Sequence, residues 1–268
     1  MKADEIFPGC HLLVFETTYE LAATFMRLQE YYESPIDGIK GCSFSIAEFM
    51  DAYAEYEGQF SYTTDWTGFN VPGDVVSKWE SIMQFEMHHA KVTGAYFTGS
   101  KRPTPKEEIL LKYVHEHCTD PFYLIGVSDE FNDVVEHEVC HAMYALNDDY
   151  RNAMDQVCES WEGFDALAQE LRETGYCDDV LKDEVQAYMS EDYDEIHDFF
   201  EDYTPPKECA DRFREVRNRF TPIYGASSLK PTWDVKSITH DMLQDALDLD
   251  PDYELIVWGR VLARKRCE

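Results

Sequence analysis

The stretch from Pro121 to Leu146 constrains the fold more than any other part of the chain. It opens with "PFYLIGV", an uncharged, β-rich run bounded by turn residues, which predicts a buried strand from Pro121 to Val127. Ser128 follows as a plausible helix cap, and Asp129 and Glu130 suit the first turn of a helix running to Leu146. Val134, Val135, Val139, Ala142 and Met143 give that helix substantial burial. The same helix carries His137, Glu138 and His141 in the order H-E-x-x-H. Two imidazoles and a carboxylate on a buried helix need partners, because an unpaired polar group costs free energy there.

The rest of the chain predicts further strands only in the first half. His11 to Phe15 reads as a short strand, followed by a helix with Leu21, Phe25 and Leu28 on one face. "CSFSIAEFMDAYAEY" is a second helix with Ser45 as cap. Phe60 to Thr64 is β-like and runs into "TTDWTGFNVPG", an aromatic loop that suits a cleft lining and a core-anchored turn equally. Helices are expected over "VVSKWESIMQFEMHHAKV" and "PKEEILLKYVHEHC", and through most of the chain after His141 to about Phe220. Tyr253 to Arg264 is a last strand candidate. With no repeat and no linker, this predicts an α+β fold, a small mixed sheet in the N-terminal half and a mainly helical C-terminal half.

Composition narrows the partners. A formal net charge of −31 over 268 residues disfavours nucleic acid and anionic membrane surfaces. It suits solubility, cations or a basic partner. The eight cysteines include no C-x-x-C pair. The N-terminus lacks a basic-then-apolar signal, and no apolar run reaches the roughly 18 residues of a membrane span. A cytoplasmic protein with reduced thiols is the expectation.

Residues four apart share a helix face, so His137 and His141 can present imidazoles to one ion, and zinc takes such nitrogens at about 2.0–2.1 Å. With nine His and 28 Glu, shuffled chains contain H-E-x-x-H roughly 3% of the time, so the motif depends on its buried context. Glu138 is placed to take a proton from a water on the ion without ligating it. A catalytic zinc normally has three protein ligands and an open position. Glu184 in "LKDEVQAYMSE" is the best third candidate, on a helix capped by Asp178 or Asp179 with Val180, Leu181, Val185 and Tyr188 as apolar surface. The competing view is one more solvated carboxylate, since residues 178–202 hold eleven carboxylates and one lysine. The other histidines (His88, His89, His115, His117) and Cys140 read as ordinary surface or packing residues.

At these residues the chain resembles the H-E-x-x-H zinc metallopeptidases, the zincins, and within them the gluzincin branch. There a Glu from a later helix, often in N-E-x-x-A, is the third ligand, and the corresponding stretch here is Asp183-Glu184-Val185-Gln186-Ala187. The resemblance covers roughly residues 120–190. It implies His137, His141 and Glu184 as zinc ligands, Glu138 as general base and acid, and a peptide or protein substrate. It also implies that the strand before the active-site helix, here Phe122 to Val127, aligns substrate along its edge. The resemblance further implies one zincin-like domain spanning 1–268, divisible into a strand-containing lobe, 1–128, and a helical lobe with the metal site, 129–268. Departures bear on the details. Tyr144 and Asn147 stand where the three-His branch has Gly and His. Tyr188 stands where thermolysin-like enzymes carry an Asp that orients a zinc histidine, so that carboxylate is unassigned. A Cys ligand of the deformylase type finds only a poor match at Cys42. Tyr188 and His197 are the candidate oxyanion stabilisers. The alternative is an acidic interaction protein, a nucleic-acid mimic or sequestering partner, with a structural or silent metal site.

Overall fold

The computed structural model describes residues 1–93, 101–128, 134–173, 176–191, 204–221, 233–234, 253–255 and 263–265. Strands β1 (Lys2–Phe7) and β2 (Cys10–Phe15) form an antiparallel hairpin. Strand β4 (Tyr123–Ser128) lies parallel to β2, with Leu12 opposite Ile125. Strand β3 (Gly68–Pro72) pairs antiparallel with β4, with Asn70 opposite Ile125. A two-residue β5 (Trp233–Asp234) adds to β1, giving the order β3-β4-β2-β1-β5. Four of the five strands come from the first half, and helices dominate the described residues of the second half, so the mixed α+β architecture is as expected.

Period-two alternation on these strands builds a core on each face of the sheet. Leu13, Phe69, Val71 and Leu124 join residues of α1 (Thr18–Glu33), α2 (Ile46–Glu57), α3 (Tyr62–Asp65), α4 (Gly73–Thr93) and α5 (Pro105–His117). Leu12, Tyr123, Ile125 and Val127 join residues of α6 (Val135–Leu146), α7 (Asp148–Ser160), α8 (Phe164–Glu173), α9 (Leu181–Met189) and α10 (Lys207–Phe220). Helix α1 lies so close to β4 that a Cβ at Gly126 would come within 2.7 Å of Phe25. All six residues of β4 are buried, which explains its unbroken apolar sequence.

Several local readings need tertiary correction. Ser128 ends β4 rather than capping α6, whose N-cap is Val134; residues 129–133 lie outside the described residues. Val180, not Asp178 or Asp179, is the N-cap of α9, and Asp178 instead takes Arg172. The β-like run at Phe60 forms the helical turn α3, while the strand lies in the loop after it, as β3. There Phe69 is anchored in the core, whereas Trp66 is 47% exposed. Strand β4 is paired on both sides, so it has no free edge; β3 ends the sheet. The last strand candidate is two short antiparallel strands, β6 (Tyr253–Leu255) and β7 (Ala263–Lys265). The seven cysteines of the described residues are free. No helix of those residues is long and apolar enough to cross a membrane.

One buried ion pair ties the first layer together. Arg27 of α1 is fully buried and donates through Nε to Glu107 Oε1 at 2.8 Å, with a second bond from Nη2 to Oε2. It also donates to the carbonyls of Phe44 and Arg102. Glu107 belongs to the capping box of α5 with Thr104, so one carboxylate serves two elements. Removing one partner leaves the other charge buried and unpaired. Arg27→Met is therefore expected to lower the unfolding free energy in urea titration by about 3–5 kcal/mol, and Arg27→Met with Glu107→Leu to recover most of it.

Candidate metal centre

Helix α6 rests on β3 and β4 and packs against α7 and α9. This arrangement buries Glu138, Cys140, His141, Ala142 and Met143. The i,i+4 spacing sets the rings of His137 and His141 edge-on with centroids 4.8 Å apart and brings their Nε2 atoms to 3.0 Å. Glu184, in the first turn of α9, points Oε2 at the same place, 3.7 Å from His141 Nε2. The ligand atoms of these three residues lie within 4.8 Å of one another, and no other group of three such side chains converges among the described residues. Elsewhere His115 pairs with Glu80, His117 stacks on Tyr113, and the buried His11 has Nδ1 3.0 Å from the Tyr113 hydroxyl.

The opposite ring nitrogens decide what the Nε2 atoms can do. His137 Nδ1 donates to Glu191 Oε1 at 2.5 Å, and His141 Nδ1 donates to Asp183 Oδ1 at 2.9 Å. A carboxylate partner holds the proton on Nδ1, so each neutral imidazole turns a lone pair outward from Nε2. Two lone pairs at 3.0 Å repel each other, and a proton or a metal ion between them relieves the contact. A proton on His141 is one solution. Burial opposes it, but Asp183 and Glu184 outweigh burial and hold the His141 pKa well above its ordinary value. That proton still leaves Glu184 Oε2 buried without a hydrogen-bond partner. A metal ion satisfies all three groups. Ligand atoms at about 2.0–2.1 Å around a tetrahedral zinc sit roughly 3.3–3.5 Å apart, and the observed 3.0 and 3.7 Å bracket that spacing.

The surroundings hold negative charge in excess. Burial pushes the Glu184 carboxyl up to about 7, against the pull of His141 and His137. Glu33, half-buried in the last turn of α1, is pushed up to about 8 by burial and by Glu184. Both groups favour a proton unless a cation enters. Behind them, Tyr150 donates to Gln186 Oε1 at 2.7 Å, and Gln186 Nε2 donates to Asp183 Oδ1 at 2.9 Å. This chain fixes the carboxylate that fixes His141.

Glu138 is buried beside the imidazoles. Its Oε2 accepts from Asn70 Nδ2 at 2.8 Å, and Asn70 Oδ1 accepts from the Tyr123 hydroxyl at 2.5 Å. A Cβ at Gly68 would lie 2.7 Å from Glu138 Oε1, so a larger residue there would displace that carboxylate. Tyr188 packs its ring edge-on against His137, with centroids 4.7 Å apart, and its hydroxyl meets that of Tyr176 at 3.2 Å. His197 lies outside the described residues. The structure thus gathers His137, His141, Glu184, Glu138 and Tyr188, and adds Asp183, Glu191, Asn70, Tyr123 and Glu33. The carboxylate sought four residues after Glu184 stands one residue before it, as Asp183.

Where these three groups hold an ion, an outer carboxylate steadies it: Asp183→Ala is expected to weaken metal binding about 10–100-fold in competition with a chromophoric chelator. The pH dependence has a definite sign. Between 4.5 and about 8 the folded state holds protons on Glu184 and Glu33 that the unfolded chain has released, so stability from these groups falls as pH rises. Stabilisation from charged His141 is likewise lost as pH rises through its raised pKa. With a chelator present, the thermal midpoint should drop across this window, and Glu184→Gln should flatten the slope. Comparison of the chain with protein-family models, curated proteins and solved structures finds no match.

Proposed function

We propose that this chain is a zinc-dependent hydrolase of amide bonds, a metallopeptidase of gluzincin-like layout. The carrying observation is the buried Oε2 of Glu184, without a hydrogen-bond partner, beside two Nε2 atoms whose tautomers are set by Asp183 and Glu191. His137, His141 and Glu184 would hold the ion, leaving a fourth position open as a catalytic site requires. Bound there, zinc supplies Lewis-acid polarisation of a carbonyl and acidifies a water.

The chain's own groups supply the rest. Glu138 sits between the two histidines in sequence but is held by Asn70 on β3, a base next to the ion rather than a ligand to it. Strand β3 ends the sheet beside Glu138, so its outer backbone groups can align an extended peptide. A carboxylate-rich site and a net charge of −31 favour peptides with cationic side chains and raise the local concentration of cations. Tyr188, packed on His137, is the candidate for steadying charge developed on a substrate oxygen.

The expected result is one zinc per purified chain by elemental analysis, lost in His137→Ala and Glu184→Ala. Glu138→Gln should keep zinc and cut a mixed peptide library about 10²–10⁴-fold more slowly than wild type. A wild-type chain without zinc, or metal content unchanged by His137→Ala, sinks this reading. Zinc with no cleavage by either protein favours an acidic binding protein with a structural metal.

A further inference from the structure

We infer that Asn70 is a positioning residue that keeps Glu138 off the metal and aimed at substrate, and that Tyr123 sets the orientation of Asn70. This rests on the metal-dependent reading above. The arrangement begins with strand alternation. Phe69 and Val71 enter the core on one face of the sheet, which turns Gly68 and Asn70 to the face covered by α6. In the β3–β4 ladder Asn70 stands opposite Ile125, so Tyr123 is its diagonal neighbour on the same face, within reach of an aromatic side chain.

Each contact leaves its neighbour one choice. The Tyr123 hydroxyl is 2.5 Å from Asn70 Oδ1, and only the hydroxyl can donate. Burial first, and then the nearby carboxylates, hold the Tyr123 pKa well above its ordinary value, so the donor stays protonated. With Oδ1 occupied, the amide must turn Nδ2 toward Glu138, and Nδ2 lies 2.8 Å from Oε2. Oε1 rests against Gly68, where any side chain would displace it. One oxygen of the carboxylate is therefore held by Asn70, while the other lies in the space that Gly68 leaves open two residues before it on the same strand.

The hold has a chemical purpose. Carboxylate oxygens are good zinc ligands, and Glu138 is adjacent in sequence to His137. An untethered Glu138 would be drawn to the cation, fill the open position and cease to be a base. Asn70 competes for it with a charge-assisted hydrogen bond. An amide packed only for stability would not control the ion's ligand set, and this difference can be measured.

The test uses full-length protein loaded with Co2+, whose visible absorption reports coordination number, together with kinetics on the peptide that zinc-loaded wild type cuts fastest. Asn70→Ala should change the Co2+ spectrum toward an added ligand and tighten Co2+ binding. Asn70→Ala combined with Glu138→Gln should return the spectrum to that of Glu138→Gln alone. Asn70→Ala should also lower kcat about a hundredfold with little change in KM. Tyr123→Phe, which removes only the hydroxyl, should show a part of both effects, and it carries the test if Asn70→Ala does not fold. A wild-type spectrum and a wild-type kcat in these variants overturn the role of Asn70 alone. Failure of the wild-type chain to take up Co2+ overturns the metal reading, and this inference with it.

Discussion

Two imidazoles facing each other through Nε2 at 3.0 Å are the constraint around which the second layer is organised. Their far nitrogens are tied to Glu191 and Asp183, which favours the tautomers that turn both Nε2 lone pairs toward each other. Helix α9 must come close to α6 to supply Asp183 and Glu184 together from its first turn. Helix α7 sends Tyr150 to Gln186, which secures Asp183 from behind. Everything near the pair either prepares a place for positive charge or holds a neighbour in position.

This preparation works against folding stability. Glu33, Glu138, Asp183 and Glu184 approach one another, and burial first, then this convergence, raises the pKa values of Glu184 and Glu33. Local conflicts of this kind concentrate where a protein acts on something else. The first layer shows the opposite pattern. Arg27 and Glu107 are buried as a matched pair with every strong contact internal, which makes that side a scaffold. The sheet between the layers carries both kinds of residue on alternate faces of the same strands, as Phe69 and Asn70 show.

Much of the frame is legible from local pattern. The helix face of Leu21, Phe25 and Leu28, the Ser45 cap and the apolar run of β4 all appear where the local pattern predicts them. The misses share a cause. Strand β1 escapes a sequence reading, because its residues Lys2 to Phe7 alternate only partly and depend on β2 for pairing. Strand β3 is hidden in a loop rich in Gly, Pro and aromatics, since an edge strand with one buried face needs little apolar sequence. Ser128 has the chemistry of a cap, but β4 claims it first.

The sequence by itself determined that His137 and His141 share one face of a buried helix with Glu138 beside them, because helical periodicity is local and needs no partner. It also pointed to an acidic helix for a third candidate ligand. Only the tertiary structure decided which of many carboxylates turn inward, that Asp183 and Glu191 set the two tautomers, and that Asn70 holds Glu138. Those choices depend on how α6, α9 and β3 pack across the sheet. Distances of a few ångströms between residues far apart in the chain leave no periodic trace in sequence.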